Sequence, residues 1–151
     1  MLTDTEIENL LNTPKHTKTS KVKWINKGKH KQCDIDVFSD DLCHSFKLYL
    51  RQNLINPDSF SCGIRLEKLG QEPMTLMRCN GSDHPHGNPI EGDVFAKKCH
   101  IHTASERYFS IRRKLEHYAV PTQEYVDMMG AVACLLTRCN IKGLQLVLEW
   151  E

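Results

Sequence analysis

The sequence predicts an α+β fold: an antiparallel meander sheet with helices packed on one face, a short N-terminal helix and two C-terminal helices. Three observations lead there. Five segments between residues 21 and 79 carry strand patterning, several with clear apolar–polar alternation. Turn-forming residues separate them. Helix-start signals stand outside that block, at Thr3, Thr103 and Pro121–Thr122.

Residues 3–12 form the first expected helix. Thr3 with Glu6 makes a capping box, Ile7, Leu10 and Leu11 give an apolar face, and Pro14 stops it. The strand segments follow at 21–27, 31–39, 43–52, 59–69 and 74–79. The turns between them fall at Asn26–Gly28, Asp40–Asp41, Asn56–Pro57, Gly70 and Asn80–Gly81. Residues 80–89 read as a loop, because Pro85 and Pro89 cannot serve a central strand. A short strand is expected over 94–101. Thr103 with Glu106 repeats the capping-box pattern, and the second helix is expected to reach about His117. Pro121 and Thr122 open the third, whose apolar stripe runs through Met128, Val132, Leu135 and Leu136. Asn140 and Gly143 end it, and residues 144–150 close as a strand. No repeat or low-complexity segment interrupts the chain, so one domain is expected over 1–151.

The totals set the class. The chain has 151 residues, 40% hydrophobic and 26% charged, with net charge +1, which is ordinary for a globular protein. No apolar run is long enough to span a bilayer, and the acidic, amphipathic start is unlike a signal peptide. A cytoplasmic protein with no membrane partner is the expectation. Seven cysteines occur without a Cys-x-x-Cys pair, so free thiols are expected. Cys134 and Cys139, five apart on a helix, do not share a face. Lys15, Lys18, Lys21, Lys23, Lys27, Lys29 and Lys31 form a basic run with no acid among them. It is either a phosphate-contacting track or a solvated edge strand.

Residues 80–108 concentrate the chemistry. They hold four of the eight histidines in two His-x-His pairs, His84/His86 and His100/His102. On an extended segment such a pair points to one face. Three or four imidazoles can hold a transition-metal ion, with zinc foremost, and Asp83, Glu91, Glu106 and Cys99 are further candidate ligands. The same histidines can act as general base and general acid without a metal. In that reading His84, His86, His100 and His102 are catalytic. Arg78 and Arg107 hold phosphate, Asn80 and Asn88 orient the rings, Tyr108 lines the substrate site, and no cofactor is needed. A helix start after His102 also favours an anion. A structural role is the third possibility: a histidine that satisfies backbone groups, and a Glu106 explained by capping. Cys99 beside His100 points to the opposite face of a strand. His44 and His117 have no supporting context.

These residues resemble a bacterial and phage family of unknown function, numbered 6978. The resemblance rests on "RCNG" (78–81), "HPHGN" (84–88), "EG" (91–92), "HIHTASERY" (100–108), "YAVPT" (118–122) and "CLLTRCN" (134–140), and covers most of the chain. Cys79 stands where tyrosine is usual and Gly87 where threonine is usual. A more distant similarity is to the TumE-like toxins of toxin–antitoxin pairs, though their consecutive histidines are missing. The resemblance implies membership and leaves mechanism to the residues. The leading expectation is a toxin-type protein directed at RNA or nucleotides, with RNA or an antitoxin as partner. The alternatives are a metal-binding module, or a phage-encoded inhibitor that binds a host defence protein.

Overall fold

The computed structural model describes residues 2–146. Helix α1 (Asp4–Asn12) carries the expected capping box, Thr3 with Glu6, and buries Ile7, Leu10 and Leu11. Strands β1 (Lys15–Thr17), β2 (Ile25–Asn26), β3 (His30–Ser39), β4 (Ser45–Asn53), β5 (Phe60–Glu67) and β6 (Met74–Asn80) follow. Next come β7 (His86–Asn88), β8 (Asp93–Phe95), β9 (His100–Thr103), helix α2 (Glu106–Ser110), β10 (Ala119–Pro121), helix α3 (Met128–Arg138) and β11 (Ile141–Lys142).

Alternation builds the main sheet. On β3, Cys33, Ile35 and Val37 are buried while Asp34 and Asp36 are exposed. On β4 it is Phe46, Leu48 and Leu50, and on β5 Cys62, Ile64 and Leu66. These residues share one sheet face. They pack with Ile7, Leu10 and Leu11 of α1 and with Ala131, Val132 and Leu135 of α3 in one core cluster. Each fully buried Val, Leu, Ile or Phe among them stabilises the fold by about 1.5–3 kcal/mol. The strand order is β10-β9-β6-β5-β4-β3-β1-β11, with β2 added beside β3. Neighbours are antiparallel except β1 and β11, which run parallel. β7 and β8 form a separate hairpin. The architecture is thus α+β with a mostly antiparallel sheet, as the patterning predicts.

The helices depart from expectation. Only α1 and α3 join the core cluster. Helix α2 stops after five residues, with Arg112 in the left-handed region at φ 61° soon after. Its N-cap is Ser105, not Thr103, and that side chain makes no capping bond. Glu106 instead bonds across to α1: Asp4 N–H donates to Glu106 Oε2 at 3.0 Å, and Glu106 N–H donates to Asp4 Oδ1 at 2.9 Å. The third helix begins seven residues later than Pro121, at Met128, where Asp127 accepts from Gly130 N–H. Residues 119–121 are strand β10 because β9 offers them an open edge. The region 80–89, read as loop, supplies β7, and the strand expected over 94–101 splits into β8 and β9. The segment 21–27 keeps only β2 and a bridge from Lys21 to Gln145. The remainder of the closing strand expected at 144–150, residues 147–150, lies outside the described residues.

The lysine run does not form one track. Lys15 is 1% exposed. Its ammonium donates to Leu11 O (2.9 Å), Thr13 O (2.8 Å) and Cys139 O (2.7 Å), so it caps the C-terminal ends of α1 and α3 together. Burial pulls its pKa down to about 8, which leaves it protonated at neutral pH. Lys31 lies over the Trp24 ring at 4.4 Å. The cysteines are all free thiols among the described residues, and none of the helices there is long and apolar enough to cross a membrane.

Candidate functional site

The sheet face away from α1 and α3 is polar, and register puts its side chains in cross-strand rows. One row runs His100, Asn80, Ser61, Arg51, Gln32 across β9, β6, β5, β4 and β3. The next runs His102, Arg78, Gly63, Tyr49, Asp34. His100 and His102 share a face because they sit two apart on a strand. Ile101 between them enters the core.

Gly63 shapes the second row. A Cβ there would lie 2.5 Å from the Tyr49 hydroxyl and 2.8 Å from the Met77 carbonyl oxygen. The missing side chain is therefore the space in which the Tyr49 phenol lies across β5 toward Arg78. Desolvation pushes the Tyr49 pKa up to about 12, so the phenol is neutral and its hydroxyl can serve Arg78. Arg78 also pairs with the buried Glu116 at 3.4 Å.

Four imidazoles gather at the end of these rows. The ring of His86, carried by β7, is 4.8 Å from His102, 5.8 Å from His100 and 4.9 Å from His117, centroid to centroid. His100 and His102 are 5.0 Å apart. Every ring has one nitrogen on an oxygen. His100 Nδ1 is 2.9 Å from Lys98 O, and His102 Nδ1 is 2.9 Å from Glu116 O. His86 Nε2 is 3.0 Å from Asn88 Oδ1, and His117 Nε2 is 3.2 Å from Gly87 O. A carbonyl oxygen only accepts, so each of these nitrogens carries the hydrogen. The Asn88 amide is fixed the same way. Its Nδ2 donates to Ala119 O at 2.7 Å and its Oδ1 accepts from Ala119 N–H at 3.0 Å.

The opposite nitrogens of His100 and His102 are then bare lone pairs. Both Nε2 atoms lie 3.4 Å from Asn80 Nδ2, so the two bases converge on one amide. The Oδ1 of that amide is buried with no partner, as is Arg78 Nε. Tyr125 braces the ladder from behind: its hydroxyl is 2.8 Å from Asn80 O and 3.0 Å from His100 O.

Burial favours the neutral form of His86, His100 and His102. His102 is 3% exposed. Desolvation first, then the Arg78 cation and the neighbouring rings, pull its pKa down to about 3. His100 is lowered by burial, with His86, Arg78 and His84 adding to it. His86 is lowered chiefly by burial as well. The free protein at pH 7 thus presents neutral imidazoles beside a guanidinium.

Of the residues expected from sequence, His86, His100, His102, Arg78 and Asn80 come together, and Asn88 anchors the hairpin that delivers His86. His84 does not join them. It is 72% exposed, paired with Asp83 at 3.6 Å, on the rim of an adjoining cleft. Arg107 is turned away: it pairs with Glu91 at 3.1 Å and lies over the Tyr118 ring at 4.6 Å. Tyr108 donates to Glu91 at 2.7 Å and packs 5.1 Å from the His117 ring, so it supports the cluster from outside. Glu91 is held by these contacts and Glu106 by the side chain and backbone of Asp4. Among the described residues no group of three or more His, Cys, Asp or Glu side chains is placed to hold a metal ion.

His117, Glu116 and Tyr49 belong to the site and were not expected there. His117 has no motif around it and enters only because β10 pairs with β9. Tyr49 depends on a gap at Gly63 that becomes visible only with register.

A family model described as a family of unknown function (DUF6978) matches residues 2–141. No curated protein and no solved structure gives a match.

Proposed function

The chain belongs to DUF6978, a family of unknown function, and we propose that this member acts on phosphate esters of RNA, with His100 and His102 as its acid–base pair. One observation carries the reading. Two imidazole nitrogens, stripped of hydrogen by the carbonyls on their far sides, meet at Asn80 beside Arg78. A pair of convergent bases next to a cation suits a substrate that brings both an acidic hydroxyl and an anion.

The electrostatics explain how one site yields both base and acid. In the free protein the rings are neutral because they are buried and face Arg78. A bound phosphate counters Arg78 and adds a negative charge beside the imidazoles. Their pKa values rise, and the pair takes up a proton that belongs to both rings jointly. The result is one imidazole and one imidazolium on either side of the phosphate. The imidazole Nε2 removes the proton of the 2′-hydroxyl, and the 2′-oxygen attacks phosphorus. The P–O5′ bond breaks, and the imidazolium Nε2 gives its proton to the leaving O5′. The products are a 2′,3′-cyclic phosphate and a 5′-hydroxyl, with the catalyst protonated on the ring that started bare. Arg78 and Tyr49 steady the charge on the non-bridging oxygens. Asn80, whose Nδ2 lies 3.4 Å from both Nε2 atoms, keeps the two rings aimed at one point.

A metal reading draws support from the same tautomers, because a metal-ligating histidine holds its other N–H on a carbonyl in this way. Two nitrogens converge, however, and among the described residues a third donor is not placed with them. The test is incubation of end-labelled single-stranded RNA with metal-free protein in excess chelator. Cleavage to 2′,3′-cyclic phosphate ends, lost in His102→Asn, supports the reading. Cleavage that needs added metal, or none under any condition, refutes it.

A further inference from the structure

Next to the histidines the polar face opens into a cleft of about 420 Å³ lined by Lys29, His30, Arg51, Arg78, Asn80 and His84 among others, with no Asp or Glu in its wall. We infer that this cleft binds a second phosphate of a single-stranded polynucleotide, so that the substrate is an oligonucleotide and not a mononucleotide. The inference rests on the reading that the histidine pair takes the first phosphate.

Two cations of the cleft, Lys29 and Arg51, are not held in ion pairs by the fold among the described residues, whereas Arg78, Arg107 and Arg138 all are. Arg51 Nη2 donates to His30 Nδ1 at 3.4 Å, which leaves the His30 Nε2–H free to donate. The guanidinium thus presents its remaining N–H groups and the imidazole its own. Asp83, beside His84 in the chain, is engaged with His84 at 3.6 Å and Asn56 at 2.9 Å.

Position matters as much as charge. Arg51 stands on β4, in the same cross-strand row as Asn80 and His100 but two strands away from Asn80. Adjacent strands are about 4.8 Å apart, so roughly 10 Å separates Arg51 from Asn80 at the backbone and about 14 Å from His100. The backbone spacing leaves room for a second phosphate beside the first. Arg78 and Asn80 line the cleft and also face the histidines, so the two anion positions share a wall. A flexible chain with phosphates at regular intervals matches a groove that offers cations at intervals across a flat sheet. Hydroxyl and amide groups from Ser59, Ser61 and Asn53 fill the intervals.

The test uses a fluorescein-labelled deoxythymidine tetranucleotide, which lacks the 2′-hydroxyl and stays intact, and thymidine 3′-monophosphate. Arg51→Ala should weaken the tetranucleotide about tenfold, the loss of one charge-assisted contact. It should also lower the slope of log K against log salt by about 0.7. Arg51→Lys should restore that slope, which separates charge from any change in folding. Monophosphate binding, followed by the His100 and His102 imidazole signals, should not change in Arg51→Ala. Equal weakening of both ligands, or of neither, overturns the inference. So does a glutamate tetrapeptide that competes as well as the tetranucleotide, because the cleft would then be a site for acidic peptides. If the monophosphate leaves the histidine signals unmoved while the tetranucleotide still needs Arg51, the cleft stands and the histidine reading fails.

Discussion

His102→Asn makes the most informative perturbation of the cluster. Asparagine keeps an N–H near the position of His102 Nδ1, so the bond to Glu116 O survives, while Nε2 and its titration are removed. The sign follows from the folded pKa. It lies near 3, against about 6.5 for an unfolded histidine. Below pH 6.5 the unfolded chain binds a proton that the folded chain refuses. Stability is therefore complete above about pH 6.5 and is lost progressively as pH falls toward 3. One pKa unit is 1.36 kcal/mol, so from pH 7 to pH 5 this one group costs about 2 kcal/mol. For a chain of this size that is a fall of about 4–8 °C in melting temperature. His100 and His86, shifted the same way, add to it. Urea unfolding of wild type and His102→Asn at pH 7 and pH 5 checks the argument. The stability difference between the two proteins should move by about 2 kcal/mol in favour of the variant at pH 5. A difference that does not change with pH would mean that His102 titrates as an ordinary histidine, and the electrostatic basis of the site would be wrong.

Three further outcomes follow from the packing. Lys15→Met leaves three helix-end carbonyls without their donor and should cost about 2–4 kcal/mol, read as a lower urea midpoint with unchanged helix content. Gly63→Ala sets a Cβ against Tyr49 and the Met77 carbonyl and should cost about 1–3 kcal/mol. It should also slow RNA cleavage, because the phenol is pushed off Arg78; a neutral effect on both would show that Tyr49 has another resting place. Asn88→Ala removes the bonds to His86, Asp93 and both backbone groups of Ala119, and should cost about 2–4 kcal/mol. Amide exchange should then quicken first in residues 86–95 and 119–121.

Much of the fold can be read from local pattern, and its limits are physical. The strands at 31–39, 43–52, 59–69 and 74–79 declare themselves because one face is buried and the period is two. Thr3 and Glu6 mark α1 because a capping box is local chemistry. The same signal misleads at Thr103, where Glu106 is taken by Asp4, about a hundred residues away in sequence. Proline at 121 reads as a helix start but sits on the outermost strand, where a missing N–H costs nothing. Within the site, the pair His100/His102 is legible from strand spacing alone. His84 resembles its partner His86 in sequence, yet it sits in the turn at 82–84 before Pro85 and lies on the rim. His117 is silent in sequence because its place depends on the β9–β10 pairing. Lys15 looks like one more exposed lysine until two helix ends are seen to meet at it.

On the proposed mechanism His100 and His102 are neutral, Nδ1-protonated and convergent in the free protein, and share a proton once a phosphate ester binds. Nitrogen-15 NMR of histidine-labelled protein reads this directly. At pH 7 without ligand both residues should show a protonated Nδ1 and a bare Nε2. Adding thymidine 3′-monophosphate should move the Nε2 signals of this pair toward the protonated position and raise their apparent pKa values. Nε2-protonated tautomers, an imidazolium already present at pH 7, or signals indifferent to the phosphate ester would contradict the account.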